Sequence, residues 1–225
     1  MRTKFDEQLN QLNQELMHMG TMIEEQIQKA VVAFMKQDTE LARIIMDNDT
    51  DVDREEKKIE NICFNLLMQQ QPVARDLRTI SAAMKMVTDM ERIGDHAADI
   101  SEMTILIADN TYVKQLDHIQ KMASETVQML MKSIQAYVDK DMETAKAVIK
   151  NDDVIDELFL EVKQDLIAMI HANADCGEQA TDLLMVAKYF ERIGDHATNI
   201  AEWVIFALDD KNREGGSGCD GFGKI

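Results

Sequence analysis

Two seven-residue runs, Glu91-Arg92-Ile93-Gly94-Asp95-His96-Ala97 and Glu191-Arg192-Ile193-Gly194-Asp195-His196-Ala197, are identical letter for letter and stand 100 positions apart. On an α-helix, at about 100° per residue, Glu91, Asp95, Asp99 and Glu102 fall within roughly 80° of one another and form one acidic stripe. Ile93, Ala97, Ile100 and Thr104 point the opposite way. The second run gives Glu191, Asp195, Asn199 and Glu202 on one side, with Ile193, Ala197, Ile200 and Val204 on the other. Carboxylates stacked at i, i+4 and i+8 repel one another by a few tenths of a kcal/mol per exposed pair, about the size of the attraction in an opposite pair. A positive partner is therefore expected.

Two further acid pairs have the same spacing, Asp49 with Asp53 and Asp152 with Asp156. Carboxylate oxygens are hard ligands that suit magnesium, manganese, calcium or iron, and acids projecting from adjacent helices can bridge more than one ion. Gly94 and Gly194 fit this reading. A mid-helix glycine costs up to about 1 kcal/mol relative to alanine, so its place beside the acids points to close approach of another backbone or a ligand. The plain alternative is a solvated acidic face balanced by Arg92 and Arg192. Retention of the block in both copies, while most surrounding positions differ, favours a metal or another specific ligand.

Other chemistry is weaker. His96 and His196 sit about 140° round from the first acid of each block, which suits packing, capping or a partner contact better than ligation. Glu15-Leu16-Met17-His18 matches one Glu-x-x-His element of di-iron bundles, but a second such element is missing, and His18 reads as a surface or seam residue. Cys63, Cys176 and Cys219 show neither metal spacing nor a disulfide framework and read as unpaired thiols. There is no phosphate-binding Gly-rich loop and no Gly-x-Ser-x-Gly elbow. The 17 methionines, among them Met19, Met86, Met90 and Met129, are expected to fill helical cores.

The elements that must position the acids follow from periodicity. Phe5, Leu9, Leu12, Leu16, Met19, Ile23, Ile27, Ala30 and Phe34 recur at steps of three and four, the stripe of a first long helix. Asp38 is the expected N-cap of a second, carried by Leu41, Ile45, Val52, Ile59, Ile62 and Leu66 and stopped before Pro72. A third opens near Pro72, runs through Leu77, Ile80, Met84 and Val87 into the Glu91 block, and fades near Asp109-Asn110. The cycle then repeats. Ala136-Tyr137 answers Ala33-Phe34 and Asp141 answers Asp38 at a shift of 103, whereas the acidic blocks differ by 100. The three-residue deletion is expected between the second and third helices, where Asn173 to Glu178 answers Gln69 to Arg75 and Gly177 supplies a helix stop.

The expected fold is all-α: six long helices in two tandem three-helix bundles, residues 1–110 and 111–212, with a flexible Gly-rich tail over 213–225. A composition 45 % apolar and 29 % charged, with one Pro and 5 % aromatics, argues against sheets. A net charge of −18 would repel nucleic acid and anionic lipid and favour cations or basic partners. The polar start Met1-Arg2-Thr3-Lys4-Phe5-Asp6 and the lack of a long apolar run lead us to expect a cytoplasmic protein that meets membranes only through a partner.

With Glu-Arg-Ile-Gly-Asp-His present twice, Asn199-Ile200-Ala201-Glu202 after the second copy and Gln71-Pro72-Val73-Ala74-Arg75-Asp76-Leu77-Arg78 before the first, most of residues 3–210 resembles the PhoU family. The resemblance implies bundles related by a pseudo-twofold axis. It implies multinuclear metal clusters on Asp49 and Asp53, Glu91 and Asp95, Asp152 and Asp156, and Glu191 and Asp195, with Asp99 and Asn199 at the next turn. Iron, manganese, magnesium and zinc all stay open as the ion. It further implies a non-enzymatic negative regulator of phosphate uptake and phosphate-starvation signalling. Its partners would be the ATPase subunit of the phosphate ABC transporter and a sensor histidine kinase, and a homodimer is compatible with the fold. The residues themselves leave a metal-dependent phosphate-ester hydrolase and a metal-storage protein as alternatives. Two departures from the family pattern stand out: Asp99 where Asn199 keeps the usual Asn, and Asn173-Ala174-Asp175-Cys176-Gly177-Glu178 in place of the Gln-Pro-Val-Ala stretch.

Overall fold

Helix α1 (Arg2–Lys36) is held by the apolar stripe running from Leu12 through Leu16, Met19, Ile23, Ile27 and Ala30, every member of which is buried. It ends in a reversal built from backbone geometry. Gln37 takes the left-handed conformation at φ 54°, and the Asp38 amide donates back to the Ala33 carbonyl at 2.9 Å. The Asp38 carboxylate then accepts the Leu41 amide at 3.0 Å and caps α2 (Thr39–Asp47). The second unit repeats the device between α5 (Asp117–Asp139) and α6 (Met142–Ala172), with Lys140 at φ 57° and Asp141 as the cap.

These are features of a computed structural model that describes residues 2–69, 72–108 and 117–209. The remaining helices are α3 (Asp49–Gln69), α4 (Ala74–Ile107) and α7 (Gly177–Leu208), with a short 3-10 turn at Ala174–Cys176. Six rods result as expected, the second being interrupted at Asn48 so that α2 and α3 together answer the unbroken α6. α4 starts at Ala74, two residues after Pro72, and the described part of its end is Ile107 and Ala108; Asp109 and Asn110 lie outside the described residues, as do the Gly-rich tail and Cys219.

The three-residue deletion does not fall in the linker expected to hold it. α3 ends at Gln69 and α6 at Ala172, and α4 starts at Ala74 and α7 at Gly177, both a shift of 103. The linkers are therefore equally long, and the residues are missing from the first turns of α7, ahead of Glu191. Gly177 is not the helix stop expected of it. α6 is ended by Asn173, whose side chain accepts the Asp175 amide, and Gly177 is the first residue of α7.

α1, α3 and α4 pack as one bundle with α2 on α4, and α5, α6 and α7 as the other; α4 against α7 and α1 against α5 join them. Repeat-equivalent positions meet at the α4–α7 crossing, where the His96 and His196 rings stand 5.7 Å apart between centroids. Arg78 near the start of α4 donates to the Asp209 carbonyl beyond the end of α7 at 2.7 Å, so the two helices run antiparallel. That combination is what a twofold axis between the halves requires. Gly20 serves the second junction, since a Cβ there would stand 2.6 Å from Ile134 Cδ1 of α5. No described helix is long and apolar enough to cross a membrane.

Candidate cation platforms

The inward side of each acidic block is core. Ile93, Ala97 and Ile100, and Ile193, Ala197 and Ile200, are fully buried. Burying one such Ile contributes about 1.5–3 kcal/mol, far more than the repulsion on the opposite face removes, so the apolar side fixes the rotation of α4 and α7 and the acids follow. The glycines then set the spacing between helices. A Cβ on Gly94 would lie 3.1 Å from Val52 Cγ1, and one on Gly194 would lie 3.5 Å from Asp152 Oδ1 and from Ile155 Cγ1. Close approach was expected of a backbone or ligand; side chains of α3 and α6 make it instead.

This approach brings the acid pairs of neighbouring helices together. In the first unit Asp49 and Asp53 of α3 face Asp95 and Asp99 of α4; burial, and then the charges of Asp95, Asp53 and Asp99, push the Asp49 carboxyl up to about 6. Glu91 is pushed to about 6 by burial and by Asp95, against Arg92, with Glu56 and Asp53 adding to the rise. In the second unit Asp195 is exposed at the surface, yet crowding by the neighbouring helix, Glu191 and Asp152 raise its carboxyl, with Lys188 opposing and Asp156 adding to the rise. Asp152 is raised by burial and Asp156, while the Thr198 hydroxyl works against the rise. Asp49 and Glu91 in the first unit, and Asp152 and Asp195 in the second, thus hold a proton more tightly than a free carboxylate does.

The two faces offer only oxygen donors, the type that suits a hard cation, but among the described residues no three His, Cys, Asp or Glu side chains converge into a group that could hold an ion.

Asp99 and Asn199, at matching positions, are used differently. Asp99 Oδ2 pairs with His96 Nδ1 at 3.0 Å while its charge bears on Asp49, so it belongs to the first platform and to the seam. Asn199 donates its side-chain amide to Asp89 of α4 at 3.2 Å. Asp89 also pairs with His196 at 2.8 Å, and Tyr189 lies against His96 with ring centroids 5.7 Å apart. The histidines therefore pack between the bundles, within the range expected of them. Burial lowers the pKa of His96, partly offset by Asp99. Sequence reasoning missed Glu56 and Asp89. Glu56 carried a signal in its i+3 spacing from Asp53, whereas Asp89 becomes visible only once α7 crosses α4.

Comparison with known proteins accords with this geometry. The family model described as PhoU domain matches twice, over residues 16–104 and 119–204, one match per unit. The chain belongs to the PhoU family. Among its relatives, the phosphate-specific transport system accessory protein PhoU homolog of Clostridium acetobutylicum is 36 % identical over 93 % of this chain and 96 % of its own. The homolog of Aquifex aeolicus is 34 % identical over 84 % and 86 %. Crystal structures of PhoU from Pseudomonas aeruginosa (TM-score 0.85, 28 % identity, covering 91 % of this chain and 98 % of that one) and of the phosphate transport system regulatory protein PhoU from Streptococcus pneumoniae (0.83, 25 %, 90 % and 96 %) share the fold. PhoU proteins are accessory regulatory proteins, and this chain is one of them rather than an enzyme.

Proposed function

We propose that this PhoU-family protein acts in the cytoplasm as a negative regulator of phosphate uptake and of phosphate-starvation signalling. It would do so by docking on the ATPase subunit of the phosphate ABC transporter and on a sensor histidine kinase. The observation that carries the reading is the family match in both units, together with relatives named for the phosphate-specific transport system over more than nine-tenths of each chain. A bundle surface with a net charge of −18 on the whole chain suits basic docking faces.

The acidic platforms are proposed to hold metal ions, multinuclear where four or more oxygens meet. Asp49, Asp53, Glu91, Asp95 and Asp99 would bind in the first unit, and Asp152, Asp156, Glu191, Asp195 and Asn199 in the second. A bound cation would neutralise the facing acids and fix α3 on α4 and α6 on α7, which is how it would order a docking face. The test of the regulatory reading is capture of the transporter ATPase subunit on immobilised protein from phosphate-replete and phosphate-starved extracts. Retention in either state is expected; failure in both would reject it.

A further inference from the structure

The α1–α5 junction between the units carries an open groove with a cavity volume of about 480 Å³, a size ordinary for a binding pocket. Its inner wall is apolar: Ile27 and Ala123 are buried, Val31 and Val127 are half-buried, and Val32 stands 42 % exposed at the edge.

The pseudo-equivalent half of the same crossing is closed. At the shift of 103, Gln28 and Val31 are answered by Met131 and Ile134 of α5, and Ala123 answers Gly20 of α1. A Cβ on Gly20 would stand 2.6 Å from Ile134 Cδ1 and 3.5 Å from Met131 Sδ, so these two side chains, one turn apart on one helix, lie down on the glycine. Ile134 is fully buried there. On the open half Val31 is a carbon shorter, and Gln28 donates its amide to Glu24 at 3.1 Å. Two apolar side chains that the chain itself supplies on one half are thus lacking on the other.

Glu24 is the one charged residue lining the groove. Among the described residues it has no lysine or arginine within ion-pair distance, for Lys29 pairs with Glu25 at 3.2 Å and Lys132 reaches Gln128 at 3.5 Å. The whole chain carries −18, so a second copy would be repelled and a basic segment drawn in. We propose that this groove takes a basic amphipathic helix of a partner protein. Two apolar side chains one turn apart would occupy the space that Met131 and Ile134 fill on the closed half, with a Lys or Arg against Glu24. This rests on the docking reading above and adds to it a surface and the chemistry of what binds there.

The test is fluorescence anisotropy of a labelled helical peptide, with Leu at i, i+3 and i+7 on one face and Lys on the flanks, titrated with the full chain. Micromolar binding is expected, and counterparts with Ser for Leu or Glu for Lys should bind about tenfold more weakly. Ser124→Phe fills the groove from an exposed position without changing the charge and should weaken binding about tenfold. Thr21→Phe, at the answering exposed position on the closed half, should leave binding as it is. Glu24→Gln should weaken it about threefold and flatten its salt dependence. Circular dichroism would verify that each variant keeps its helices. A parent that does not bind, binding unmoved by Ser124→Phe, or equal weakening by Thr21→Phe overturns the groove as the docking site, while capture of the transporter ATPase subunit decides the regulatory reading separately. A dimer in sedimentation that Ser124→Phe abolishes would give the groove to a second copy and overturn it as well.

Discussion

Removing one acid from the first platform should stabilise the metal-free protein, and Glu91→Gln is the cleanest case. The side chain is 18 % exposed, and its carboxyl is pushed from 4.5 to about 6 by burial and by the charges of Asp95, Glu56 and Asp53, against Arg92. A carboxyl whose folded pKa is raised binds more protons folded than unfolded. The folded state is therefore penalised as pH rises: the penalty is absent below about 4.5, grows between that value and about 6, and is complete above. A shift of that size corresponds to about 2 kcal/mol, and the loss of the Arg92 contact with partial screening leaves about 1–2 kcal/mol. The glutamine is isosteric and carries none of this penalty.

Urea unfolding in chelator should therefore show Glu91→Gln more stable than the parent by about 1–2 kcal/mol at pH 7, the gain vanishing by about pH 4. His96 contributes with the opposite sign. Burial lowers its folded pKa below 6.5, so its contribution is present above that value and lost as pH falls, but it is common to both proteins and cancels in the difference. With saturating Mn²⁺ the order should reverse, because the parent alone keeps the full donor set. A variant less stable than the parent at pH 7 in chelator, or a gain that persists unchanged at pH 4, would refute the picture of the platform as an undercompensated charge cluster.

The two block glycines should respond oppositely to alanine. Gly194→Ala meets only ordinary contacts at 3.4–3.5 Å and should gain about 0.5–1 kcal/mol of helix propensity, whereas Gly94→Ala meets the buried, β-branched Val52 at 3.1 Å and should lose about 1 kcal/mol net; equal shifts in thermal unfolding would contradict this. Asp89→Ala strips the partner from both His196 and Asn199 and should cost about 2–3 kcal/mol in chemical denaturation, an effect below 0.5 kcal/mol counting against the seam. Tyr137→Phe removes a hydroxyl that donates from α5 to the Thr79 carbonyl of α4 at 2.9 Å, and a loss of about 1–1.5 kcal/mol is expected from the same measurement. A Tyr137→Phe variant as stable as the parent would mean that this bond between the units contributes nothing.

The helical stripes were legible because each rests on many apolar residues acting together, as the buried run from Leu12 to Phe34 illustrates. What was not legible depends on single contacts between helices distant in sequence. Asn48 and Asn151 are the same residue at matched positions, yet the helix breaks at the first and runs through the second. Gln26 of α1 donates its amide to the Asn48 carbonyl at 3.3 Å, a bond its counterpart Met129 cannot make, while the Asn151 amide turns to Glu125 of α5. The interruption is thus written twenty-two residues away, on a different helix. The contact of Asn199 with Asp89 was illegible for a related reason: helical angle puts Asn199 in line with Glu191 and Asp195, and only the antiparallel crossing of α4 and α7 brings Asp89 within its reach.

Duplication explains why such differences concentrate between the helices rather than in the repeated block. The block serves two faces at once: Ile93, Gly94 and Ala97 are packed within their own unit, while His96 meets His196 and Tyr189 at the crossing. Positions that meet only one neighbour carry no such double constraint. Glu56 and Phe159, or Thr88 and Lys188, could exchange character as long as α3 still packed on α4 and α6 on α7, because all four lie outside the fully buried stripes. The fold therefore tolerates charge divergence at the rim of each platform while holding its inner acids in register. A cation site is more sensitive to that rim charge than stability is, since an ion feels every nearby charge whereas packing feels only contacts.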